Sequence, residues 1–334
     1  MGFLKRLAGN KAQVPATPSP SPAPYHRDLF AGDDVARSWL DRLAAGKWLE
    51  YVDFLAAQPD YRSRDWYLRV AVRGFKGRPK WIEAWPTAQP TSAHAFLLRG
   101  AQAVNWAWET RGGARAADTP REAFDAFHER LELARRDLLR AAELAPEDPS
   151  PWAELLPVAM GLGTSIPERH HVYARVRERE PWHWTAPSMM VKAVAQKWGG
   201  SHDEMFTFAR NISEHAPEGS TVHEVIADAY YEFALDEKAA SIQTDEARTE
   251  IAAAAARSID LRLGDRDPYV LLARSQFALT YWLARDLDRL RAEIVELEPI
   301  VTGPWLNFES PIGYWKGARE DAGLDPEPAN PTAS

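Results

Sequence analysis

The chain has 334 residues, 45% of them hydrophobic and 26% charged, with a formal net charge of −8. That balance is ordinary for a globular protein with one large core or two smaller ones, and the negative sign argues against a nucleic-acid-binding face, which shows as a basic stripe. Cysteine is absent, which excludes a disulfide framework, a thiolate metal site and a cysteine nucleophile.

The N-terminal segment MGFLKRLAGNK is basic but lacks an apolar stretch of signal-peptide length. Arg6 stands where a myristoylation motif needs Ser or Thr. The segment VPATPSPSPAP at 14–24 is a linker whose prolines favour extended backbone. Residues 1–27 are therefore expected to form a disordered leader, the alternative being a weak membrane-surface contact through Phe3, Leu4 and Leu7. A helical-repeat domain is expected over 28–316, divisible into 28–115 and 116–316. The acidic, proline-rich segment 317–334 is expected to be a disordered tail.

Helix signals recur between these ends. Thr119-Pro120-Arg121-Glu122 combines an N-cap, a proline at the first helical position and a capping-box glutamate. The following stretch places Phe124, Phe127, Leu131, Ala134, Leu138 and Ala141 at steps of three and four, one face of a helix. Ser201-His202-Asp203-Glu204 repeats the capping box. Further stripes run through Val222, Val225, Ile226, Ala229, Tyr230 and Phe233, and through Leu287, Leu290, Ile294 and Leu297. The apolar run from Tyr269 to Ala284 is broken by Arg274, Ser275 and Gln276 and is shorter than the ~20 residues of a bilayer span. It reads as a helix buried inside the protein. Alternating strand patterns with Asn-Gly or Asp-Gly turns are missing, so the expected class is all-α.

The helical patterns stop at Ala145-Pro146, Glu180-Pro181, Ala216-Pro217 and Glu298-Pro299, where proline pushes its predecessor out of the helical region. The spacings are 35, 36 and 82 residues, near one or two multiples of the period of about 34 of a tetratricopeptide unit. Trp152, Leu155, Leu156, Ala159 and Gly163 occupy the offsets of that repeat's opening motif, and this stretch looks like a degenerate copy of it. Leu156 replaces the small residue of the motif and Ala159 the aromatic. The expected architecture is tandem antiparallel helical hairpins stacked as a tetratricopeptide-like α-solenoid.

The most distinctive local string is KWGGSHDEMFTFAR at 197–210. Gly199 and Gly200 can end one helix in left-handed backbone, and Ser201 caps the next. The string W-G-G-S-x-x-E-M-x-x-F-A-R, with the helices around it over about 130–235, resembles the uncharacterised bacterial DUF4034 family. The resemblance implies a helical fold and brings no activity with it. Trp198, Ser201, His202 and Glu204 form an exposed polar turn and are candidate ligand-binding residues.

Nine histidines offer no zinc spacing: His170 and His171 diverge on a helix, and His223-Glu224 lacks a second histidine in register. Arg111-Gly112-Gly113-Ala114-Arg115 lacks the lysine of a phosphate loop. No metal and no cofactor are therefore expected. Fourteen tryptophans are the compositional outlier. Most would fill the core, but Trp106 and Trp108, two apart on a helix, and Trp182 and Trp184, flanking His183, are candidate partner-binding anchors. The function expected is a non-enzymatic protein–protein interaction module, cytoplasmic, with an unidentified protein or peptide partner. The alternative is a small-ligand-binding protein or enzyme with a site between helical layers near 198–223, drawing on Trp198, His202, Glu204, His215 and His223.

Overall fold

The computed structural model describes residues 25–112 and 120–326. Fifteen α-helices occur among them, with a single two-stranded ladder of two residues per strand. The all-α expectation holds. Helix starts follow the side-chain chemistry of the N-cap. Asp33, Asp60, Ser92, Ser165, Ser201, Thr244, Asp267 and Asp286 each accept a hydrogen bond from an early backbone N–H. The Thr119 cap lies outside the described residues.

The chain forms two compact units, Asp33–Val194 with Trp198–Gly200, and the remainder. The expected division at 115–116 is not where the units part. The first unit holds α1 (Asp34–Ala44), α2 (Trp48–Ala56), α3 (Tyr61–Arg73), α4 (Lys80–Ala88), α5 (Ala93–Arg111), α6 (Arg121–Leu144), α7 (Ser150–Gly161), α8 (Ile166–Arg177) and α9 (Ala186–Ala193). Helices α5 and α6, which that division would separate, pack along each other. Gly100 allows the approach: a Cβ there would lie 2.7 Å from Leu138 Cγ. The predicted face of α6 is buried at Phe127, Leu131, Ala134, Leu138 and Ala141. Helices α7 and α8 pair across a short turn in which Gly163 has φ +68°, conformational space that glycine enters without steric cost. All of α6, α8 and α10 end before the predicted prolines.

The second unit holds α10 (His202–His215), α11 (Val225–Glu237), α12 (Asp245–Ala256), α13 (Pro268–Ala284), α14 (Leu287–Leu297) and α15 (Pro311–Asp321). As expected, α13 is buried nearly all round. Its Arg274 donates to Glu293 Oε2 at 2.7 Å and to the carbonyls of Ile259 and Arg262 at 2.8 and 3.0 Å. Pairing and hydrogen bonding of both Nη atoms let this buried charge be tolerated, while Nε has no hydrogen-bond partner among the described residues.

Both predicted tails need correction. Tyr25 is buried, and strand β1 (His26–Arg27) pairs in parallel with β2 (Ile300–Val301), so residues 25–27 belong to the folded part and not to a leader. Asp28 then fixes the following turn by accepting from Phe30 N and Gly32 N at 2.9 and 2.8 Å. At the other end α15 continues to Asp321 and buries Trp315 and Ala318. Residues 1–24, with Phe3–Leu7, and 327–334 lie outside the described residues. No helix among the described residues is long and apolar enough to cross a membrane.

The two glycines of the distinctive string act differently. Gly199 has φ +88°, as expected, but Gly200 does not enter left-handed backbone. It is needed for space, because a Cβ would sit 1.9 Å from the Val194 carbonyl oxygen. Gly200→Ala should therefore cost about 1–3 kcal/mol, since a backbone atom cannot move aside like a side-chain tip. Gly199→Ala should cost less, about 1 kcal/mol, for its positive φ alone. Urea titration of both variants checks the order.

Candidate functional site

A group of charged side chains within the first unit is built on α3. Asp65, Arg69 and Arg73 recur every four residues and so share one face of the helix. Helix α7 contributes Glu154, and the turn before α9 contributes His183, Trp184 and Thr185.

Asp65 is buried. Its Oδ2 accepts the Trp184 indole N–H at 2.9 Å and lies 3.5 Å from Arg69 Nε, while Oδ1 is enclosed without a hydrogen-bond partner. Arg69 stacks over the Trp184 ring at 4.5 Å and donates through Nη2 to Thr185 Oγ1 at 3.1 Å. Its distance to Glu154 Oε1 is 3.9 Å, and its Nε has no hydrogen-bond partner. The indole is thus held at its N–H by a carboxylate and at its face by a cation.

His183 braces this turn. It is buried, and its Nδ1 accepts from the backbone N–H groups of Thr185 and Ala186, both at 3.3 Å. That imidazole nitrogen therefore stands in for the missing side-chain cap of α9, and the ring proton belongs on Nε2. Burial lowers the His183 pKa, which favours the neutral ring the cap requires.

Arg73 differs from the other members. It is exposed to solvent, yet desolvation by the surrounding protein is the largest influence on it and lowers its pKa to about 10, with the neighbouring charge of Arg69 acting in the same direction. It remains a cation at neutral pH and meets no hydrogen-bonding or ion-pair partner among the described residues. The Glu154 pKa moves up, because burial outweighs the attraction of Arg69 and Arg73. The arrangement presents an open, partly desolvated guanidinium beside a second one held in place from beneath.

Trp184, one of the predicted anchors, belongs to this cluster. Trp182 is half-buried, with Arg177 5.9 Å from its ring. Trp106 lies between Arg130 at 3.5 Å and Arg78 at 5.4 Å, and it is half-buried. Trp108 meets Phe127 at 4.9 Å and Trp198 at 5.4 Å, edge to face. None of the fourteen tryptophans is in the exposed class.

The predicted ligand-binding turn divides between the units. Trp198 packs in the first, and its carbonyl accepts from Arg169 at 2.7 Å. In the second, Ser201 caps α10 by accepting from Glu204 N at 3.1 Å. His202 lies edge-on to Phe233 at 4.7 Å with its Nε2 3.3 Å from Glu237. His223 is fully buried with both nitrogens engaged, Nδ1 by Ser213 Oγ and Nε2 by the Pro217 carbonyl, each at 3.0 Å. His215 is exposed and instead meets the Asn211 carbonyl. Among the described residues no three acidic or histidine side chains converge as a metal site would require.

The fold and this cluster define an all-helical protein with a braced arginine pair on one helix. No family model matches the chain, and no curated protein matches it. The reading of its function therefore rests on its own residues. Arg69, Arg73 and Glu154 are functional candidates that sequence reasoning missed. The i, i+4, i+8 spacing of Asp65, Arg69 and Arg73 was the available signal, but such a row equally describes a solvated helix face.

Proposed function

We propose that this chain is a non-enzymatic protein-binding module whose working surface is the α3–α7 face around Arg69 and Arg73. One observation carries the reading. Arg73, an exposed residue with no hydrogen-bond or ion-pair partner among the described residues, stands one helical turn from Arg69, whose orientation is set by Trp184, Thr185 and Asp65. Preorganised polar groups lower the ordering cost of association. The tetratricopeptide-like hairpin architecture is part of the same proposal. In its support, helices adjacent in sequence pack in series, α5 to α6, α6 to α7 and α7 to α8, and again α10 to α11 and α13 to α14. Such series make extended binding surfaces.

Parallel affinity captures with the wild-type chain and Arg73→Glu test the reading. A defined protein should be retained by the wild type, and charge reversal should weaken its binding by about tenfold or more. Equal retention by the two would remove the α3–α7 face from consideration.

A further inference from the structure

We propose that Arg69 and Arg73 form a site for a single carboxylate borne by a protein partner; the protein-borne part rests on the module reading above. The two guanidinium groups emerge one helical turn apart from the same face of α3. Arg73 offers five N–H donors in a planar fork, with no partner for them among the described residues. Arg69 uses Nη2 on Thr185, buries Nε at 3.5 Å from Asp65 Oδ2, and meets Glu154 Oε1 only at 3.9 Å. Its plane is preset by the Trp184 ring, which is itself tethered to Asp65. Two guanidinium forks one turn apart on a helix face can meet the two oxygens of a carboxylate, and an anion between them turns their mutual repulsion into attraction.

The local charge count selects the kind of anion. Arg64 faces Asp148 at 3.7 Å, which sets that pair aside. Arg69 and Arg73 remain against Asp65 and Glu154, two guanidinium groups facing two carboxyl groups. Little positive charge is left uncompensated by that count, which suits a monoanion better than a phosphate dianion. The net charge of −8 also repels polyanions at longer range.

The test uses the full chain labelled with ¹⁵N-arginine. The Nε–Hε signals of Arg69 and Arg73, assigned from Arg69→Lys and Arg73→Lys, are followed during titration with sodium acetate, with the blocked peptide acetyl-Ala-Asp-Ala-amide, and with sodium phosphate. Arg73→Gln is the test variant, because this side chain is exposed and holds no other residue in place. Saturable shifts are expected with acetate and peptide, with the peptide tighter by about fivefold and both weakened about tenfold in Arg73→Gln. Shifts that never saturate, an unchanged affinity in Arg73→Gln, or phosphate binding more tightly than acetate would each overturn the proposal. Acetate and peptide binding equally would overturn its protein-borne half and assign the site to a free small carboxylate. No cellular partner takes part in this titration, so a failed capture leaves its result intact. A failed titration likewise leaves the module reading to the capture experiment.

Discussion

Arg274→Ala should lower the stability of the second unit by about 3–5 kcal/mol at about pH 8 and by distinctly less at about pH 5. Arg274 is fully buried, so the substitution strands Glu293 in the interior and removes a donor from the carbonyls of Ile259 and Arg262. Burial raises the Glu293 pKa to about 7, against the opposing pull of Arg274; Asp260 and Glu296 reinforce the rise. A raised acid binds its proton more tightly in the folded state than in the unfolded chain. Its favourable contribution is therefore present below the ordinary glutamate value and is lost as pH rises through the folded pKa, here between about 4.5 and about 7. Removing the guanidinium raises the Glu293 pKa further, so at about pH 5 the variant can protonate the stranded carboxyl and shed part of the penalty. Urea titrations of wild type and variant across this range, followed by circular dichroism, measure the difference. A pH-independent loss would mean that the cost comes from packing rather than from the stranded charge.

Trp315→Ala should cost about 3–5 kcal/mol, the range for deleting a large buried aromatic. Trp315 is fully buried in the second unit and meets Trp305 edge to face at 5.1 Å. Trp305 lies 5.6 Å from Trp282 and 6.0 Å from Phe308, so the loss spreads through a continuous aromatic cluster. The Trp315 indole N–H has no hydrogen-bond partner. Trp315→Phe gives up ring area without stranding an acceptor and should retain much of the stability. Trp182→Ala, at a half-buried position, should cost no more than about 1 kcal/mol. Denaturation midpoints of the three variants separate core tryptophans from peripheral ones. Equal losses for Trp182→Ala and Trp315→Ala would defeat that distinction.

These contrasts show where sequence reasoning reaches. The Ser201 cap, the end of α6 before Pro146 and the buried faces of α6 and α13 were legible because each depends on residues within a few positions of one another. The Gly199–Gly200 pair was legible only in part. Left-handed backbone at Gly199 is a local property, whereas the space requirement at Gly200 comes from the Val194 carbonyl. By sequence, His223 joins Trp198, His202, Glu204 and His215 as a candidate for a site near 198–223. Its role is to join Ser213 to the Pro217 carbonyl inside the second unit, which spacing alone does not reveal. Arg69 and Arg73 were passed over for the opposite reason, since charges four apart on a helix are common on solvated faces.

Caps, prolines and three-four periodicity, read from the chain alone, determined that this protein is helical and where several helices begin and end, since those signals act through backbone groups close in sequence. Tertiary structure alone decided that residues 26–27 pair with residues 300–301, that α5 and α6 belong to one unit, and that Arg73 stands open beside a braced Arg69. Each of these depends on groups far apart in the chain, whose meeting is set by packing and desolvation rather than by local conformational preference.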